Sequence, residues 1–410
     1  MKYLFVACLL CLSVLSAVAK VPAMNKIRLT NNWEYLKGDL GGIWEAVRPA
    51  APGSSEAVPI WQPVTLPHCF NAEDAVDPDV NYYEGPGWYK TLLAIDNPYR
   101  NGRIVLDFDG AGQKTDVYVY TTHVGSHVGG YDSWNVDITD AVKAFLGSKD
   151  AERFKGKVPL SIRCDNSRDL EMIPSDLADF NIYGGLYRYL NLVYLPEVSF
   201  EQIRLESSLS SNLKEGILKV KTSFYNPEDI RKADVTVSVY DVDRKPVFSK
   251  TLEGILPLGD QLLAEMKIKN PVLWDVDVPQ LYTCELTVKT PDQTFTTEER
   301  FGFRHTEFKD KGPFFLNGKR LLLRGTHRHE DHAGVAQAMT EDMMRREMRM
   351  MKDMGVNFIR LGHYQQSEII LDLCDELGIL VWEEIPWCRG GLGGDVYKKQ
   401  ARRMLANMIV

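Results

Sequence analysis

Three short stretches gather the side chains that could do chemistry: "THRHEDH" (326–332), "RLGHYQ" (360–365) and "EEIPW" (383–387). The first packs three imidazoles and two carboxylates into seven residues. His327-x-His329, with Asp331 and His332 beside it, has a spacing that could hold a divalent metal, although a lone H-x-H is a weak signal. In the second, an apolar run (Phe358, Ile359, Leu361) ends in a guanidinium, an imidazole and a phenol: Arg360, His363 and Tyr364. The third offers two adjacent carboxylates, Glu383 and Glu384.

A strand-helix alternation over residues 303–410 must position these groups. "RLLLRG" (320–325) reads as a continuous apolar strand. Thr340 can cap a helix whose first turn carries Glu341 and Asp342, where negative charge suits the helix dipole. Met344, Met348 and Met351 give that helix one apolar face, read as core packing, and Gly355 sits where a left-handed C-terminal residue belongs. A strand over 357–361 follows, then a helix from Ser367 to Gly378 with Ile369, Ile370, Leu373, Cys374 and Leu377 on one side. "ILVWEEIP" is a third strand and 396–410 a third helix. Buried strands alternating with helices imply a parallel sheet with crossover helices. In a (β/α)₈ barrel the active site lies at the C-terminal strand ends. Arg360, His363 and Tyr364 therefore fall where the core stops and a substrate pocket begins.

The rest of the chain is β-rich. Short alternating strands such as "RIVLDFDG" and "TDVYVY" run through residues 20–198 and predict a jelly-roll sandwich, with "PAAPGSSEA" (49–57) as a surface loop. In residues 199–302, Leu218, Val220, Thr222 and Phe224 alternate, as do Val235, Val237 and Val239, and Leu286 and Val288, which fits an immunoglobulin-like sandwich. Residues 1–19 have a basic start, an apolar middle and an Ala17-Val18-Ala19 end, the pattern of a cleavable signal peptide. The expectation is a secreted or periplasmic protein, mature from Lys20, with no membrane span. A net charge of -8 and the lack of a basic stripe argue against nucleic acid. Past the signal stand Cys69, Cys164, Cys284, Cys374 and Cys388, an odd number without paired spacing. A Cys69–Cys164 disulfide is one reading; five buried free thiols are the favoured one.

Taken in order, "VTLPHCFN" (64–71), "GPGWYKT" (85–91), "VGSHVGGYDSWNVDIT" (124–139), "DFNIYGGLYR" (179–188), "VPQLYTCELTV" (278–288), "FGFR" (301–304), "FFLNGKRLLLRGTHRHEDH" (314–332), "GVNFIRLGHYQ" (355–365) and "LCDELGILVWEEIPW" (373–387) resemble glycoside hydrolase family 2, the β-galactosidase and β-glucuronidase group. The resemblance implies a sugar-binding jelly roll, an immunoglobulin-like sandwich and the first three βα units of a TIM barrel. It implies a carbohydrate substrate, no cofactor, and leaves room for a homo-oligomer. Asp179 matches the acidic residue that reaches from the jelly roll to a sugar hydroxyl. His329 and His363 match histidines that hydrogen-bond sugar hydroxyls, and Arg360 matches the arginine that keeps the nucleophilic carboxylate ionised and oriented.

The two catalytic glutamates of the family belong to the fourth and seventh barrel strands, and a retaining glycosidase needs them ~5–5.5 Å apart. The motifs here run only to a third helix at Val410. The expectation is a chain ending inside the barrel, with no catalytic residue of its own and no hydrolysis by the family route. Glu383 and Glu384 match neither catalytic position. Cys388 and Gly390 stand where metal-dependent galactosidases of the family place magnesium ligands, so no metal is expected there. The usual Ser-His-Tyr-Pro reads Gly362-His363-Tyr364-Gln365. "LGHYQ" and "HRHEDH" lean the reading towards a β-galactosidase. Two other classes compete: a non-catalytic carbohydrate-binding fragment, and a metal-dependent amidohydrolase built on His327-x-His329. A three-strand sheet would also keep an open outer edge, predicting a loosely held third domain with Leu321, Leu323, Ile359 and Val381 left wet.

Overall fold

The computed structural model describes residues 25–49, 59–175, 178–227, 232–389 and 392–409. The signal peptide, all but the first residue of the 49–57 loop, and Gly390 lie outside them.

The first unit is a sandwich of two antiparallel sheets. The four-stranded sheet runs Asn25–Arg28, Leu190–Leu195, Arg103–Phe108, Trp134–Asp137; the six-stranded sheet runs Gln62–Val64, Trp33–Lys37, Pro86–Leu93, Val158–Asp165, Lys114–Val119, Thr122–Val128. Alternation does the sorting: in Lys114–Val119 every second side chain is buried, and Trp33, Tyr89, Leu106, Phe108 and Ile162 close the space between the sheets. The second unit is a seven-stranded sandwich, three strands (Ser199–Leu209, Glu215–Tyr225, Gly259–Lys269) against four (Pro246–Ile255, Ala233–Tyr240, Tyr282–Lys289, Thr294–Phe301). Its core holds Leu218, Val220, Phe224, Val235, Val237, Val239, Leu286 and Val288, the inward half of each alternation.

The third unit is a parallel sheet of Gly325–Arg328, Phe358–Leu361 and Leu380–Glu383. Its helices are Glu341–Asp353, Glu368–Leu377 and Asp395–Ile409. Thr340 and Ser367 cap the first two through their hydroxyls, accepting from Met343 N and Ile369 N, each at 3.4 Å. Gly378 ends the second at φ 71°, and a Cβ there would lie 2.3 Å from the Val276 carbonyl oxygen. Met344, Met348, Ile359, Leu361, Ile370, Leu373 and Cys374 form the sheet-helix core, so the methionine face is packing.

The structure corrects two expectations. The first barrel strand is Gly325–Arg328, not the apolar run 320–325. Leu322 O and Arg324 N are bonded by the Asn357 side chain, at 3.0 and 2.8 Å, so that backbone is satisfied without a strand ladder. Ile359 faces the helices and is fully buried, and Leu321 is partly buried against a small core, while Leu322, Leu323, Val381 and Trp382 are exposed. The third helix packs against the first sandwich. Arg403 Nε and Asn407 Nδ2 bond the buried Asp132 of the first sandwich at 2.8 and 3.2 Å, and Tyr397 and Met404 pack with Ile173. No helix among the described residues is long and apolar enough to cross a membrane.

Candidate functional site

Parallel pairing sets His327 beside Arg360, and Arg360 beside Trp382, on one face of the sheet. Arg360 is the hub of a cluster at the strand ends. Its Nε and Nη2 bind Glu384 Oε1 and Oε2 at 2.5 and 3.1 Å. Nη1 donates to His327 Nδ1 at 3.1 Å, and Nη2 donates to His363 Nδ1 at 2.8 Å. A guanidinium gripping a carboxylate through two nitrogens is a strong, oriented pair. It engages Glu384 as a structural partner, while Glu383 turns away and accepts from Gln366 N at 2.9 Å. Burial raises the Glu383 carboxyl above its usual range.

The first sandwich supplies the opposite wall. Asp179 Oδ1 lies 3.9 Å from His363 Nε2, on the other edge of that imidazole from Arg360. Cys388 donates its thiol proton to Asp179 Oδ1 at 2.8 Å, and Arg389 Nη2 meets Oδ2 at 2.9 Å. Those contacts, the Cys388 hydrogen bond first, hold the Asp179 carboxyl below its usual range. Phe180 lays its ring along His363 (centroids 5.9 Å, 25°) and meets His329 at 5.9 Å. His329 stacks on His327 at 5.0 Å and stands edge-on to His363 at 5.3 Å. Burial, then neighbouring positive and imidazole groups, lowers the pKa of His327 and of His329.

Asp179, His329, Arg360 and His363 thus meet in one place. Tyr364 does not join them: only 1% exposed, it stacks on Tyr131 at 4.2 Å and its hydroxyl accepts from Glu330 N, inside the contact between units. His327, Phe180, Glu384, Cys388 and Arg389 are site residues that the sequence reading did not assign to sugar. His327 was detectable, since period-two alternation puts it on the same strand face as His329. The Cys388–Asp179 contact spans 209 positions and leaves no local signal.

The metal reading fares poorly. Among the described residues the donor groups close enough for an ion are His327–His329–His363 and Asp179–His363–Cys388, and neither includes Asp331 or His332. Asp331 instead accepts from Tyr183 Oη at 2.9 Å, and His332 bonds the Ala333 carbonyl. Arg360 already occupies the Nδ1 lone pairs of His327 and His363. A neutral imidazole then keeps its proton on Nε2, the nitrogen an ion would need.

A jelly roll and an immunoglobulin-like sandwich ahead of a βα barrel sheet, with a polar and aromatic side-chain cluster at the strand ends, is the arrangement of a β-glycosidase. The chain belongs to glycoside hydrolase family 2: residues 40–196 match its sugar binding domain, 198–304 the family model described simply as glycosyl hydrolases family 2, and 307–398 its TIM barrel domain. A putative β-glucuronidase of Formosa agariphila is 38% identical over 94% of this chain and 44% of its own length. A β-galactosidase of Thermoanaerobacter pseudethanolicus is 28% identical over 92% and 49%. The crystal structure of Parabacteroides merdae β-glucuronidase with glycerol in its active site superposes with a TM-score of 0.93 at 99% identity, covering 96% of this chain and 50% of that one. The chain spans about half the length of these proteins.

Proposed function

We propose that this chain carries the terminal-sugar pocket of an exported, retaining β-glucuronidase. The supporting observation is the convergence of Asp179 from the jelly roll with His329, Arg360 and His363 from the barrel strands. These groups offer acceptors and N–H donors at adjacent positions, the pattern that reads ring hydroxyls. The shift from galactoside to glucuronide follows the names of the relatives at 38% and 99% identity. Within these 410 residues the reading assigns recognition, not bond cleavage, since Glu384 is chelated by Arg360 and Glu383 points away.

The test is an assay of the gene product that contains this chain, with aryl β-glucuronide, β-galactoside and β-mannoside side by side. The expected outcome is a kcat/KM for the glucuronide at least ~100-fold above the others. Preference for the galactoside overturns the substrate, and no turnover of any of them favours a carbohydrate-binding role. Export is tested by sequencing the N-terminus of periplasmic or secreted material, expected at Lys20; intact Met1 in the cytoplasm rejects it.

A further inference from the structure

We propose that Arg360 is a positioning residue that fixes His327 and His363 as imidazoles protonated on Nε2 alone, and that Gly362 provides the clearance this needs. The functional part of the inference rests on the glycosidase reading; the proton assignment does not.

A guanidinium has five N–H donors and no acceptor. Any ring nitrogen it bonds must therefore present a lone pair. Arg360 bonds Nδ1 of both rings, at 3.1 and 2.8 Å, so each proton must sit on Nε2. Gly362 lies against the other side of the His327 ring, beside Nε2. The fit is tight: a Cβ on residue 362 would lie 2.3 Å from His327 Nε2 and 3.2 Å from Arg360 Nη1. Any side chain there would push His327 off the guanidinium, which accounts for glycine at a position where the family pattern has serine. His329, by contrast, makes ring contacts but no hydrogen bond among the described residues, so nothing dictates its tautomer.

The consequence lies at the outer edge of His363. Its Nε2–H faces Asp179 Oδ1 across 3.9 Å, too far for a direct bond. One hydroxyl oxygen about 2.8 Å from each would bridge them, accepting from His363 and donating to the carboxylate. The opposite tautomer would place two acceptors face to face and lose that selectivity. A doubly protonated His363 would set a cation beside an oxocarbenium-like transition state. The hydrogen bond from Arg360 fills the Nδ1 lone pair that a second proton would take. Arg360 thus makes His363 a neutral donor of defined direction.

The experiment is ¹⁵N-histidine labelling of the full chain and long-range ¹H–¹⁵N correlation between pH 7 and 8, with its eight histidines assigned through His327→Gln and His363→Gln. Expected are single tautomers for both rings, Nδ1 unprotonated and Nε2 protonated. In Arg360→Met both should move towards mixed tautomers, and in Gly362→Ala His327 should do so while His363 keeps its form. A proton on Nδ1 of either ring in the parent protein overturns the proposal, as does a spectrum that Arg360→Met leaves unchanged. The parent spectrum decides the matter if a variant fails to fold. Failure of the glucuronidase reading would show in turnover and leave these spectra as they are.

Discussion

The Arg188 guanidinium of the first sandwich closes on the Glu330 carboxylate just past the first barrel strand, Nη2 to Oε2 2.5 Å, with side chains 1% and 0% exposed. Arg188 Nη1 also donates to the Tyr131 carbonyl at 2.8 Å, and Nη2 to the Gln365 carbonyl at 2.6 Å. Glu330 Oε1 accepts from Ser367 N at 3.3 Å, at the head of the second barrel helix. One charge pair therefore ties the sandwich that carries Asp179 to the ends of two barrel strands.

Removing one member leaves the other charge buried and unpaired, a loss of about 3–5 kcal/mol. Glu330→Ala should lower stability by that order in urea unfolding. Arg188→Met/Glu330→Leu should recover much of it, because two apolar groups need no partner. A loss under about 1 kcal/mol for Glu330→Ala would mean the pair is open to water in solution.

How far the sequence foretold this depends on the range of the contact. The two sandwiches were legible because alternation at Leu218–Val220 or Val235–Val239 is local and strictly of period two. The helix ends were legible too, through Thr340, Ser367 and Gly378. The first barrel strand was misplaced because hydrophobicity at Leu321–Leu323 outweighed a polar competitor: the Asn357 side chain bonds the backbone that a strand neighbour would otherwise have taken. Tyr364 was placed in the pocket for a similar reason, since its partner Tyr131 comes from another unit. Arg188–Glu330 joins positions 142 apart, and no spacing rule reaches that far.

Two substitutions separate recognition from architecture in the gene product containing this chain. Arg360→Ala should cut kcat/KM severely, by ~100-fold or more, with little change in unfolding midpoint, because the side chain is partly exposed at the mouth. Asp179→Asn should act mainly on sugar recognition, weakening kcat/KM with the fold intact. Unchanged kinetics for Asp179→Asn would show that the jelly roll does not complete the pocket.

A further prediction concerns pH and lies away from the site. Burial raises the Asp109 carboxyl to about 7, with Glu368 adding repulsion and Lys26 partly offsetting it. The folded state thus binds a proton that the unfolded chain, near 3.8, releases. Stability falls as pH rises through that window, and the penalty is fully present above it. Asp109→Asn removes the ionisable group, so it should raise Tm at pH 8 by ~2–4 °C per kcal/mol recovered and do little near pH 4. A gain that is equal at both pH values would assign the effect to packing instead.

The last prediction uses Cys388 to report on Asp179. All five thiols of the described chain are free, but four are buried and Cys388 is half-exposed at the pocket. Burial pushes Cys69, Cys164, Cys284 and Cys374 up to about 12. Burial and the hydrogen bond to Asp179 also raise Cys388. Since the thiolate is the reacting form, Cys388 should alkylate slowly at pH 8 and the other four only on unfolding. Asp179→Asn removes the carboxylate that disfavours the thiolate, so iodoacetamide should label Cys388 faster, by ~5-fold or more. Glucuronic acid, seated between His363 and Asp179, should slow labelling of the parent protein. Mass spectrometry of tryptic peptides reads both effects on one residue. Equal rates in parent and variant would show that the thiol and the carboxylate are not in contact in solution.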